Sequence, residues 1–136
     1  MTITIPVSPG ELFDRITILE IKAERLQAPQ ARRHVTAELA LLRAAQERAA
    51  LDPGPLSALR RALAAVNREL WEIEDSIRDH ERSQDFGPRF VALARSVYLR
   101  NDERARLKRQ INQVCGSTLM EEKLYHRYDE PGAASR

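Results

Sequence analysis

Two stretches of this chain carry charge where a helix should carry an apolar stripe. From Phe90 to Cys115, one helical face presents Phe90, Ala94 and Val97, then Asn101, Arg104 and Lys108, then Ile111 and Cys115. From Leu56 to Glu81, the stripe Leu59, Leu63, Val66, Leu70, Ile73 and Ile77 has Asn67 and Glu74 beside it and Arg78 at its margin. Helical periodicity sets which residues face a core, so these polar groups are expected to point inward or to line a cleft. A buried charge costs several kcal/mol unless it is paired. Either internal ion pairs or a ligand must compensate, and the two answers give different proteins.

Complementary charge adds to the constraint. Residues 69–85 hold seven acids and two bases, and residues 95–109 hold six bases and two acids. Neighbours of opposite charge joined by a short turn predict an antiparallel pair held partly by ionic contacts. The net charge of the whole chain is only +2, and its few aromatics do not interleave with the bases, so no nucleic-acid partner is expected. No apolar run approaches the ~20 residues of a membrane span. The start, Met-Thr-Ile-Thr-Ile-Pro-Val, has neither a basic nor an apolar signal region. The lone Cys115 lies on an apolar stripe and reads as a small buried hydrophobe. Together these features predict a cytoplasmic protein.

Turn chemistry divides 136 residues into four helices. Thr2–Val7 alternates Ile and Val against Thr and predicts a short strand, whose best partner is the region around Leu119–Tyr125. Ser8-Pro9-Gly10-Glu11 predicts a helix start with Ser8 as N-cap and Glu11 closing a capping box. This first helix, to about Gln27, is apolar around most of its circumference and is expected to be central. A second, from about Pro29 to Ala50, reads as scaffold. The third runs from Pro55 to about Arg82 after the Asp52-Pro-Gly-Pro turn. The fourth runs from Pro88 to about Cys115, with Gly116 as its C′ residue. Thr118–Glu121 offers the start of a possible fifth helix. The expected class is therefore an all-α bundle of four, possibly five, helices with a short N-terminal β-strand, in one domain over residues 1–125. Residues 126–136 form an expected disordered tail.

The inward candidates are Glu20, Asn67, Glu74, Arg78, Asn101, Arg104, Lys108 and Asn112, with Trp71, Arg95, Tyr98 and Asp102 on adjacent directions. Glu74, Arg78, Arg104 and Lys108 are expected to share one network. Cations aimed into a partly dry cleft between bundle helices suit a carboxylate, a phosphate or a sugar-phosphate. A buried ion-pair network that fixes helix register is the alternative. No metal site is expected: Glu69, Glu72 and Asp75 share a solvent-facing side, and His34, His80 and His126 are scattered. No glycine-rich phosphate loop, Cys pair or nucleophile–base pair is present, so no cofactor or catalytic residue is assigned.

Four segments carry a resemblance: 7–22 (VSPGELFDRITILEIK), 66–78 (VNRELWEIEDSIR), 94–105 (ARSVYLRNDERA) and 116–125 (GSTLMEEKLY). Together they resemble an uncharacterised bacterial all-helical family of about this length, a domain of unknown function. The resemblance implies a bacterial origin and brings no activity. It implies that polar residues of these segments, including Glu11, Asp14, Lys22, Asp75 and Asp102, belong to the family pattern. A fainter similarity is to helical chorismate mutases, whose first helix Phe13-Asp14, Ile16, Leu19 and Arg25 partly echo. It departs at Thr17, where a second acid is expected. That similarity implies a dicarboxylate held between helices by Arg and Lys.

Three functions remain open from the sequence. The first is a helical protein binding a small anionic ligand in a polar interhelical cleft. The second is an adaptor with a structural polar core, contacting a partner protein or forming a homodimer. The third is an enzyme acting on an anionic metabolite by electrostatic preorganisation.

Overall fold

The computed structural model describes residues 1–52, 54–123 and 127–129. The described residues form four helices, α1 (Pro9–Arg25), α2 (Pro29–Ala49), α3 (Leu56–Arg82) and α4 (Pro88–Val114). None of them is long and apolar enough to cross a membrane. The all-α expectation holds, and the helix limits fall within two residues of those read from the turns.

Helix α1 is the centre of the fold. It touches α2, α3 and α4, whereas α2 packs on α1 alone. Its residues Leu12, Phe13, Ile16 and Leu19 join Val35 and Leu39 of α2, Leu56, Leu63 and Val66 of α3, and Leu107 and Ile111 of α4 in one core. The start of α1 lies on the end of α4, where the Gly10 N–H donates to Asn112 Oδ1 at 2.7 Å. The end of α1 lies beside the middle of α3, where Arg25 pairs with Glu72 and Arg68 with Glu24. At 1.5 Å per residue, 17-residue α1 is about 25 Å long and the 27-residue helices α3 and α4 about 40 Å. The α3/α4 hairpin therefore projects past the end of α1.

The helix ends follow the turn chemistry. Ser8 Oγ accepts the Glu11 N–H at 3.2 Å and Pro9 opens the helix. The expected capping box is only half made, because the Glu11 carboxylate turns away to Lys108. Gly116 adopts φ +66°, and the N–H groups of Gly116 and Ser117 donate to the carbonyls of Gln113 and Asn112. This is a Schellman closure of α4.

Two expectations fail. The N-terminal strand is absent among the described residues: Met1–Val7 has no regular structure, with Ile3 77% and Ile5 61% exposed. Alternation alone cannot hold a strand without a paired neighbour, and the expected partner does not supply one. Its residues 119–123 are irregular, and 124–125 lie outside the described residues. The fifth helix is absent for a related reason. Ser117 closes a tight turn with Leu119, and Arg109 takes the Glu121 carbonyl and the Glu122 carboxylate, tying this segment along α4. The tail expectation falls mostly outside the described residues.

Ser8→Ala should cost about 1 kcal/mol by loss of the α1 cap. In hydrogen exchange, residues 2–7 should exchange freely in both proteins. Protection there would restore the strand.

Candidate functional site

Asp14 is the hub of the polar core. It sits on α1 beyond Gly10 by one turn, on the face turned to α3 and α4, with its side chain 2% exposed. Arg104 of α4 grips it through a two-point fork, Nε to Oδ1 at 2.8 Å and Nη2 to Oδ2 at 2.5 Å. Asn67 of α3 donates its Nδ2 to Asp14 Oδ1 at 3.0 Å. Lys108 Nζ lies 4.0 Å from Asp14 Oδ2, 2.8 Å from Glu11 Oε2 and 3.2 Å from Glu121 Oε2. Beneath these, fully buried Asn112 holds the Gly10 N–H, while its own Nδ2 has no partner among the described residues.

This geometry sets the charges. Burial pushes the Asp14 carboxyl up, but the bonds from Arg104 and Asn67 and the charges of Arg104 and Lys108 outweigh it and hold it below 3.8. Burial likewise pushes the Lys108 ammonium down, and the bond to Glu11 with the charges of Asp14, Glu11 and Glu121 outweighs that. Arg104 is raised by its bond to Asp14, against the opposing effect of burial. All three groups are ionised at neutral pH. The two inward cations are answered by three carboxylates, Glu11, Asp14 and Glu121.

In front of this layer lies an open cleft of about 530 Å3, lined by Ile18 of α1, by Asn67, Leu70, Trp71, Glu74, Asp75 and Arg78 of α3, and by Asn101 and Arg104 of α4. It sits where the projecting hairpin leaves the end of α1. Trp71 forms one wall with the Arg25 guanidinium 5.9 Å from its ring centre. Among the described residues, the side chains of Glu74, Asp75, Arg78 and Asn101 make no hydrogen bond or ion pair.

The residues singled out from the sequence thus divide. Asn67, Arg104, Lys108 and Asn112 belong to the buried layer, while Trp71, Glu74, Arg78 and Asn101 line the cleft, with Asn67 and Arg104 touching both. Glu20 lies elsewhere, paired with Arg43 of α2. Arg95 is exposed on α4, and Tyr98 meets Tyr128 at a tilt, ring centres 5.2 Å apart, while the Tyr128 hydroxyl donates to Asp102. The expected pairing of Glu74 with the inward cations does not form, because Asp14 reaches them first from α1. Nor do the oppositely charged stretches of α3 and α4 bind each other extensively: Arg100–Glu69 is the one ion pair that joins them among the described residues. The hub Asp14 was visible only as part of a family pattern. A sharper signal was present in Gly10, Asp14 and Thr17, a small-to-polar run at helical spacing on a helix apolar around most of its circumference. A carboxylate there requires a cationic partner from another helix.

Among the described residues, no group of three His, Cys, Asp or Glu side chains is placed to hold a metal ion. Glu69, Glu72 and Asp75 are all exposed.

A family model described as a family of unknown function, DUF6165, matches residues 3–134. The chain belongs to this family, in agreement with the resemblance to a domain of unknown function. No curated protein and no solved structure matches the chain.

Proposed function

We propose that this member of a family of unknown function binds a small ligand, bearing an anionic group together with hydroxyl or amino groups, in the cleft between α1, α3 and α4. One observation carries the reading: the polar groups lining the cleft are unpartnered among the described residues, whereas the layer behind them is almost fully paired. Structural networks satisfy their members; groups left open around a cavity of ligand size point to something that fills it.

The charge balance refines the ligand class. Arg104 is neutralised by Asp14, and Lys108 by Glu11 and Glu121, so neither is a free anion receptor. Arg78 is the free guanidinium of the cleft and takes the anionic group. Glu74 and Asp75 repel a bare dianion but accept from hydroxyl or ammonium groups. Asn101 offers both a donor and an acceptor, and the Trp71 face offers apolar contact. The network behind holds these walls in register. Binding and orientation follow from this arrangement, and no reaction is assigned to it.

Trp71 is the only tryptophan, so its fluorescence reports on the cleft. A screen of hydroxy acids, amino acids and sugar-phosphates should find compounds that change its emission, with affinity falling as salt rises. Arg78→Ala should weaken binding by about tenfold, as expected for a lost charge-assisted bond, and leave the melting temperature of the free protein unchanged. If no compound at millimolar concentration moves either the emission or the melting temperature, the reading fails.

A further inference from the structure

Buried residues are confined to one end of the α3/α4 hairpin. In α3 none lies beyond Asn67, and in α4 none precedes Leu107. The intervening arms nevertheless carry Ile73, Ile77, Phe90, Leu93, Ala94 and Val97 at helical spacing, all left half-exposed.

The uncovered side is defined by what covers it lower down. Asn67, Arg104, Lys108 and Asn112 face α1. Continued along each helix, that direction passes through Trp71, Glu74 and Arg78 of α3 and through Asn101, Val97, Ala94 and Phe90 of α4, with Val91 and Tyr98, which also meets Tyr128, at its outer margin. There α1 has ended, and Val91 is 51% exposed.

Charge identifies the occupant. Residues 71–82 of α3 hold five acids and two bases, while residues 88–100 of α4 hold three arginines and no acid. The two arms of one hairpin therefore carry opposite charge. They neutralise each other through only one contact at the base, Arg100–Glu69, among the described residues. A hairpin that is acidic on one arm and basic on the other is complementary to itself after a half-turn: each acidic α3 faces the basic α4 of the other copy, and both contacts form at once.

We infer that the projecting halves of α3 and α4 are a self-association surface, on which the hairpin of a second copy of this chain takes the place that α1 occupies lower down. The product is a two-fold dimer whose four arms form a bundle, with the Trp71, Glu74 and Arg78 wall of the cleft inside the contact. The inference rests on the hairpin alone and not on ligand binding.

Sedimentation of the full chain across the micromolar range tests it. The wild-type protein should sediment as a dimer that dissociates on dilution and, more readily, at high salt. Val91→Asp and Arg95→Glu alter side chains that are exposed in the single chain, so helicity should be unchanged. Each should raise the dimer Kd by at least about tenfold. A wild-type protein that stays monomeric throughout overturns the inference, and so does a dimer indifferent to both substitutions. Loss of helicity in Val91→Asp would leave Arg95→Glu and the salt dependence to decide.

Discussion

Asp14→Ala should destabilise the fold by about 3–5 kcal/mol, because removing one partner of a buried ion pair leaves the other charge uncompensated. Arg104 loses both points of its fork, Asn67 loses its acceptor and Lys108 loses a nearby carboxylate. Arg104 keeps 30% of its side chain in contact with solvent and can turn outward, which favours the lower end of that range. Chemical denaturation measures the loss. A double-mutant cycle of Asp14→Ala with Arg104→Ala should show coupling above about 1 kcal/mol, whereas Glu74→Ala, exposed and unpaired, should change stability by less than about 0.5 kcal/mol. Additivity of Asp14 and Arg104 would show that the two side chains do not support each other in the folded protein.

The same carboxylate sets a pH dependence. Its folded pKa lies below the ordinary 3.8, so folding is linked to its deprotonation. The stabilisation is complete above the unfolded pKa and disappears as the pH falls through the folded one. Asp14→Asn removes this contribution. The stability gap between wild type and Asp14→Asn should be constant near neutrality and close in acid, beginning around pH 4 and continuing below it. A gap that instead widened on acidification would mean the carboxyl is neutral in the folded protein.

Gly10→Ala should be nearly as damaging, by about 2–3 kcal/mol or more, through overpacking. A Cβ at this position would stand 2.4 Å from the Lys108 backbone carbonyl oxygen and 2.8 Å from Asn112 Oδ1. The carbonyl belongs to the middle of a helix and cannot swing aside, so α1 and α4 must separate. Separation lengthens the Gly10–Asn112 bond and pulls Asp14 from Arg104, one turn along the same contact. Gly54→Ala is the control, since nothing lies within 4 Å of a Cβ built there. Equal melting temperatures for Gly10→Ala and wild type would show that the close approach of α1 to α4 does not bear on stability.

Local physical chemistry determined the elements. Ser8-Pro9, Pro29, Pro88 and Gly116 mark helix ends through backbone rules that act within a turn, and the apolar periodicities between them assign the buried faces. For the same reason the sequence identified α1 as the centre and Asn67, Arg104, Lys108 and Asn112 as inward-facing. Partner choice is a different matter, because it depends on which helix crosses which and how closely. Glu74 and Asp14 are both carboxylates able to answer Arg104, and only the close approach of α1 to α4 at Gly10, where no Cβ would fit, brings Asp14 to it. That choice leaves Glu74, Asp75 and Arg78 open around the cleft. The alternation of Thr2–Val7 failed on the same ground: a strand is made by its neighbour, and the packing of residues 117–123 along α4 denies it one. Side-chain direction is a property of the segment, whereas pairing is a property of the assembled fold.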